Sequence, residues 1–448
     1  MMACNPDNAK IINNWRNSKS IKMQHFKHIT IATDKFKGGL SSSEAACAIK
    51  KGLQSAVQGR FSKNGKDKAY YNIVAIADGG DGSADIFKGA TDAEEIFCRT
   101  IGPLGRRVKS SFMFCRSKKI AFIEMAQVSG LAMLPVADRN PIHTTTYGLG
   151  ELILKAAVAG AKKVIIGIGG SATNDCGTGM LQALGYKFFN SAGKNIVNKR
   201  VGTEAFIKGD DLSRIKKIIF PTGNSDKTKM LKDVEFTVVC DVKNPLTGSK
   251  GATYGYGPQK GASKEELAIL EGGVKNFLEA IEKSDDNSDK KNRPAKTLYV
   301  NKMSKAEGAG AAGGVGFALM YFLKSKKMSG FDYFAKLQKL QSKLTWADIV
   351  VSGEGMIDAQ SFKGKVVGGV IDIVNNLNGK CGEYDEKEIR KKIVWLFCGA
   401  SKVKSGKNRA IFPMSDIEPD IKKRMNSEAA YLKERACAAA LEKLLNVD

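Results

Sequence analysis

The sequence predicts an α/β protein built on parallel sheets, and three observations carry that expectation. Short β-branched runs alternate with helical patterns, glycine is in excess, and acidic or glycine-rich residues follow one run after another. The runs are His28–Thr33, Asn72–Ala77, Val164–Ile168, Phe236–Cys240, Asp348–Ser352 and Ile393–Cys398, each bounded by polar or glycine-rich residues as buried strands are.

The 448 residues are enough for more than one domain. With 43% apolar and 26% charged residues, neither a disordered nor a fibrous chain fits. The 47 glycines gather in a few stretches and form no repeat. A net charge of +25 suits an anionic partner. The lysines, however, are scattered in pairs such as Lys162-Lys163 and Lys326-Lys327, without the aromatic interleaving of a nucleic-acid surface, so they are read as solvated faces and no nucleic-acid partner is expected. Nine cysteines with no C-x-x-C, and only three histidines, support neither a disulfide framework nor a zinc site; a reducing cytoplasm fits. No apolar run reaches the ~18 residues of a membrane span, so no membrane partner is expected. Residues 1–27 lack the apolar core of a secretory signal and read as an N-terminal extension.

Helices are legible between the runs. Ser41-Ser42-Ser43-Glu44 fits a capping box, and Ala45, Ile49 and Leu53 then recur on one face. Leu149, Leu152, Ile153 and Ala156 form a stripe that stops at Gly160, a terminating glycine. Ser284–Lys296 is polar enough for a domain seam, and Thr297–Val300 is a weak strand candidate.

What ends each run points to chemistry. The first is followed by Asp34, the second by Asp78-Gly79-Gly80-Asp81-Gly82, the third by Gly169–Asp175, the fourth by Asp241 and the fifth by Gly353-Glu354-Gly355. Ligands of parallel sheets sit beyond the carboxyl ends of strands, although Asp and Gly also make ordinary turns there.

Two glycine-rich stretches suit phosphate: Gly167–Asp175, containing Gly169, Gly170, Ser171, Ala172 and Thr173, and Gly308–Gly314, containing Gly308, Gly310 and Gly313. Glycine lets backbone N–H groups approach an anion, and each stretch runs into a helical pattern. Gly308-x-Gly310-x-x-Gly313 formally matches a dinucleotide fingerprint, with Asp332 at about the right spacing. It does not directly follow a strand, so a nicotinamide enzyme is disfavoured. P-loop, protein-kinase and α/β-hydrolase motifs are missing. Carboxylates, phosphate-binding glycines and a few cations remain, the inventory of magnesium-assisted phosphoryl transfer.

The chain resembles the bacterial-type glycerate kinases. The resemblance runs from about His28 to near the C-terminus through Asp34-Lys35-Phe36-Lys37-Gly38-Gly39-Leu40-Ser41, Ala77–Gly82, Gly102-Pro103-Leu104-Gly105, Ile123-Glu124-Met125-Ala126 and Thr145-Thr146-Tyr147-Gly148. It continues through Gly167–Asp175, Cys240–Leu246, Gly257-Pro258-Gln259-Lys260-Gly261-Ala262, Gly308–Gly314 and Ser352-Gly353-Glu354-Gly355. It implies ATP-dependent, Mg2+-assisted phosphorylation of D-glycerate, usually to 2-phosphoglycerate with 3-phosphoglycerate as the other product. It also implies a flavodoxin-like parallel-sheet domain (28–65 plus 300–448) with a second α/β domain (66–299) inserted, and an active site in the cleft. A kinase of another small hydroxy acid and, less favoured, a basic nucleic-acid-binding protein are the alternatives; a monomer and a homodimer both stay open. On this resemblance Asp78, Asp241, Lys37 and Asp34 are the catalytic candidates, and Glu354 joins the phosphate-binding set. Arg139, Thr145 and Asn174 are substrate candidates, while Asp175 and Asp241 are magnesium candidates.

Overall fold

The computed structural model describes residues 28–445 except 37–38, 62–68, 78, 81, 197–204, 285–292, 360, 363–365, 381–392, 405–408, 417–419 and 421–426. Strands are β1 (His28–Thr33), β2 (Tyr70–Ala75), β3 (Glu94–Ile101), β4 (Arg107–Cys115), β5 (Ile120–Glu124), β6 (Lys163–Gly167) and β7 (Lys187–Phe189). They continue as β8 (Lys217–Ile219), β9 (Glu235–Val239), β10 (Lys326–Met328), β11 (Ile349–Ile357), β12 (Ile393–Ser401) and β13 (Arg409–Pro413). The chain divides into two compact units, Met1–Ala75 with Lys339–Asp448, and Ile76–Gln338.

The first unit holds a five-stranded sheet in the order β13-β12-β11-β1-β2, every neighbouring pair parallel. Numbered within this unit the order reads 2-1-3-4-5, the flavodoxin-like arrangement. Ile29, Ile31, Val351 and Phe397 share a core with Ala45, Ile49 and Leu53 of the helix Ser42–Phe61 and with Leu432 and Ala436 of the helix Glu428–Leu445. The capping box is formed: Ser41 N donates to Glu44 Oε2 at 2.9 Å and Glu44 N to Ser41 Oγ at 3.3 Å. One expectation fails here. β11 does not stop at Ser352, so Glu354 lies within the strand, opposite Cys398, and not in a turn beyond it. Pairing with β12 out to Ile357 overrides the two glycines.

The second unit holds a six-stranded sheet, β10-β9-β6-β5-β4-β3. β10, β9, β6 and β5 are mutually parallel, while β5/β4 and β4/β3 are antiparallel. Residues 300–338, assigned from the sequence to the first domain, pack in this unit, because β10 completes its sheet beside β9. Thr297–Val300 is helical, inside Arg293–Ser304. Val164, Ile166, Phe236 and Val238 meet Leu149, Leu152 and Ile153 of the helix Tyr147–Val158 in the core. That helix ends as expected, with Gly160 at φ 98°. The polar stretch around Ser284 is described only up to that residue and again from Arg293; the extension 1–27 lies outside the described residues.

Candidate active site

In the second unit the four parallel strands end in register: Glu124 opposite Gly167, Gly167 opposite Val239, and Val239 opposite Met328. The segments that follow therefore emerge from one edge of the sheet. Glycine is needed for them to crowd together. A Cβ on Gly79 (φ 82°) would meet Val239 O at 2.9 Å, and one on Gly169 would meet Gly80 Cα at 2.6 Å. The carboxylate of Glu124 accepts hydrogen bonds from Gly82 N and Ala84 N and so caps the helix Ser83–Gly89.

The segment Gly169–Asp175 forms the centre of the site. Gly169 is half-buried, Gly170 (φ 72°) is exposed, and Ser171 to Asp175 turn inward and are buried. The backbone N–H groups of Gly170, Ser171, Thr173 and Asn174 have no hydrogen-bond partner among the described residues. Neither do the buried Thr173 Oγ1 and Asn174 Oδ1. Open N–H groups clustered at a glycine turn suit an oxyanion, whereas Asn174 Oδ1, an acceptor, calls for a donor.

Three braces hold this loop open. The fully buried Asp175 accepts from Thr146 N (2.8 Å), Thr146 Oγ1 (2.7 Å), Gly177 N (3.1 Å) and Gly179 N (3.2 Å). Burial nevertheless raises its carboxyl pKa, against the lowering by those donors. Thr144 Oγ1 donates to Ala172 O at 3.1 Å. Lys260, 2% exposed, donates through Nζ to Ser171 Oγ (2.9 Å) and Thr173 O (2.7 Å). Its pKa is pushed down to about 7 by burial, partly offset by the charge of Asp175.

The second glycine-rich stretch serves differently from the expectation. Gly308 to Ala311, Gly313 and Gly314 are buried, and Gly310 N is already bonded to Asn244 O at 3.0 Å. A Cβ on Gly310 would meet Pro245 O at 2.1 Å, and one on Gly313 (φ 65°) would meet Thr173 O at 2.0 Å. Its glycines admit neighbouring backbone, Gly308 beside Val242 O and Gly310 beside Pro245 O, and of the three only Gly313 packs against the first loop, at Thr173 O.

The other candidates sort by position. Asp241 is half-exposed just beyond β9, with Oδ1 accepting from Gly330 N at 2.8 Å. Asp175 is fully buried, with Oδ2 taking three donors and Oδ1 one. Magnesium needs only one or two protein carboxylates when phosphates supply the rest of its shell, so Asp241 fits that donor set. No group of three or more metal-binding side chains occurs among the described residues. Thr145 is fully buried, its Oγ1 accepts from Tyr147 N, and it packs behind the loop against Gly179. Asn174 is buried too, donating through Nδ2 to Thr253 Oγ1 at 3.1 Å. Arg139 anchors Nε on Leu134 O at 3.2 Å and packs its backbone against Gly261 (φ 97°), next to Lys260. Asp34 and Glu354 belong to the first unit, where Asp34 N donates to Gly353 O at 2.9 Å. Asp78 and Lys37 lie outside the described residues.

Of the three braces only Asp175 is picked out in the sequence, as a magnesium candidate. Lys260 sits in a motif quoted above, yet a lysine in a chain this basic reads as solvated, and only its burial reveals it. A separate cavity of about 560 Å³, lined by Leu184, Tyr186, Phe236, Phe322 and Lys326 among others, opens where β9 and β10 begin. That is the end of the sheet opposite the loops.

Open amides at the carboxyl edge of a parallel sheet, with a carboxylate on the neighbouring strand end, fit a phosphotransferase. Residues 29–441 match the family model described as the Glycerate kinase family. The Glycerate 2-kinase of Escherichia coli (strain K12) is 39% identical over 345 residues, covering 77% of this chain and 81% of the relative. The Glycerate kinase of Bacillus subtilis (strain 168) is 40% identical over 342 residues, covering 76% and 80%. A crystal structure described as a "putative glycerate kinase 2 from Salmonella typhimurium LT2" superposes with a TM-score of 0.70 at 32% identity, covering 94% of this chain and 98% of that one. The chain belongs to the glycerate kinase family. No helix among the described residues is long and apolar enough to cross a membrane.

Proposed function

We propose that the protein transfers the γ-phosphoryl group of ATP to D-glycerate, with magnesium, giving 2-phosphoglycerate and ADP. The observation that carries this reading is the set of N–H groups at Gly170, Ser171, Thr173 and Asn174 without a partner among the described residues, in a loop that the ammonium of Lys260 holds. Such a loop receives phosphate oxygens. Asp241 would hold a magnesium ion, which when bound supplies positive charge to offset that of the transferred group. The 2-hydroxyl is favoured because a relative 39% identical is named Glycerate 2-kinase.

In this reading Asp78 accepts the proton of the glycerate hydroxyl as its oxygen attacks the γ-phosphorus, and ADP leaves. Lys37 offsets the charge on the transferred group, and Arg139 takes the substrate carboxylate through its terminal nitrogens, its Nε being spent on Leu134 O. The family likeness and the cytoplasmic reading of the cysteines support a soluble metabolic role.

Phosphorus NMR of a mixture of the protein, Mg-ATP and D-glycerate tests this directly. The 2-phosphoglycerate resonance should grow with ADP; growth of 3-phosphoglycerate would overturn the regiochemistry, and no phosphoglycerate would overturn the substrate. Asp241→Asn should lower kcat by about a hundredfold or more with little change in Tm. Near-normal turnover in that variant discards the magnesium role.

A further inference from the structure

We propose that Lys260 is a positioning residue for the nucleotide, bracing the Gly169–Thr173 loop from its buried side and placing under it the positive charge that the phosphates meet. This rests on the reading that the loop receives nucleotide phosphates.

The geometry is specific. Nζ reaches two residues of the loop that flank Ala172, the Ser171 hydroxyl at 2.9 Å and the Thr173 carbonyl at 2.7 Å. Lys260 arrives from a separate segment, fixed by Lys260 N donating to Gly257 O at 3.0 Å and by Gly261 at φ 97°, whose missing Cβ makes room for Arg139 O. The two partners are neutral, and no ion pair with Lys260 occurs among the described residues. Asp175, the charged group that acts on it through the field, is turned to Thr146, Gly177 and Gly179 instead.

A neutral donor would brace a loop equally well and at much lower desolvation cost. Retaining an ammonium there, with its charge neutralised by no direct carboxylate, makes sense where an anion arrives on the other side. Two of the four loop amides that lack partners among the described residues, those of Ser171 and Thr173, are on the residues the ammonium holds. The lysine thus acts through the loop and through its field. It need not touch the phosphates.

The test compares wild type with Lys260→Met, Lys260→Gln and Lys260→Arg, measuring Kd for MgADP by calorimetry, KM for MgATP and for D-glycerate, and Tm. Lys260→Met should raise the MgADP Kd and the MgATP KM by about tenfold or more while the KM for D-glycerate stays within about twofold. Lys260→Gln, which keeps an N–H donor but loses the charge, should side with the Met variant, and Lys260→Arg should recover most of the affinity. Should the Met variant not fold, the Gln and Arg variants give the same reading. Unchanged MgADP affinity in Lys260→Gln, or a loss for both substrates that simply follows Tm, overturns the proposal. Calorimetry needs no turnover: absent phosphoglycerate with Lys260-dependent MgADP binding would overturn the glycerate reading alone. Wild type that fails to bind MgADP would overturn both.

Discussion

The two glycine-rich stretches of the second unit look alike in composition and do opposite things. Within Gly169–Asp175, Gly169 lies against Gly80, while Gly170 leaves its amide open and lets the chain turn at an exposed crest. In Gly308–Gly314 they are buried and accommodate other backbone, Pro245 O against Gly310 and Thr173 O against Gly313. The lesson is that a glycine cluster has two physical meanings: room for a ligand, or room for the chain itself. Cys176 N donating to Gly313 O at 2.9 Å ties the supporting loop to the receiving one.

Substitutions can break that contrast. The largest effect is expected at Gly313→Ala, where the new methyl group meets Thr173 O at 2.0 Å. A loss of about 3 kcal/mol should appear in denaturant unfolding, together with weaker nucleotide binding because the receiving loop shifts. A variant as stable as wild type would mean the second loop supports nothing. Next, Asp175→Asn puts an amide N–H2 among donors at Thr146, Gly177 and Gly179. It should cost about 2 kcal/mol, read by Tm and unfolding. If instead stability holds and only the magnesium dependence of turnover changes, Asp175 is a ligand after all.

A pH series sharpens the electrostatic half of the contrast. The pKa of Lys260 is pushed down to about 7 by burial, so above that pH the ammonium loses its proton in the ligand-free protein. Phosphate favours the charged form, and binding must then take up a proton. The wild-type Kd for MgADP should therefore rise with pH above about 7, by at most about tenfold per unit, whereas the Lys260→Met variant should lack that added slope. Equal slopes in the two proteins would exclude the lysine as the titrating group. The smallest effect is expected at Gly170→Ala: the residue is exposed, and only its φ of 72° is at stake. It should cost about 1 kcal/mol of stability, in marked contrast to Gly313→Ala.

Much of the architecture could be read from local pattern. All six β-branched runs are strands, the capping box at Ser41 and Glu44 forms, and Gly160 terminates its helix. These features depend on neighbours a few residues away, which a sequence displays. The antiparallel strands β3 and β4 escaped notice, because mixed polar residues such as Glu95, Arg99 and Lys109 hide their alternation. The extent of β11 escaped too, since pairing with β12 decides it.

The site was legible in outline, and its detail was not, for the same reason. Acidic and glycine-rich residues after strands mark the carboxyl edge of a sheet, and motif order identified the family. Composition could not say which carboxylate is exposed and which is engaged. Asp175 and Asp241 are the same residue type after strands of the same sheet, yet one takes four buried donors and the other stands half-exposed.

The sequence by itself determined the strand-helix alternation, the phosphate-suited loop and the family, because short-range spacing and ordered motifs need no partner to be recognised. Only the tertiary structure decided that Gly313 packs against Thr173 O, that Thr144 and Asp175 are braces, and that a lysine in a strongly basic chain is buried against Ser171 and Thr173. Burial and the direction of hydrogen bonds depend on segments some ninety residues apart meeting at one edge of a sheet, and residue type does not encode that meeting.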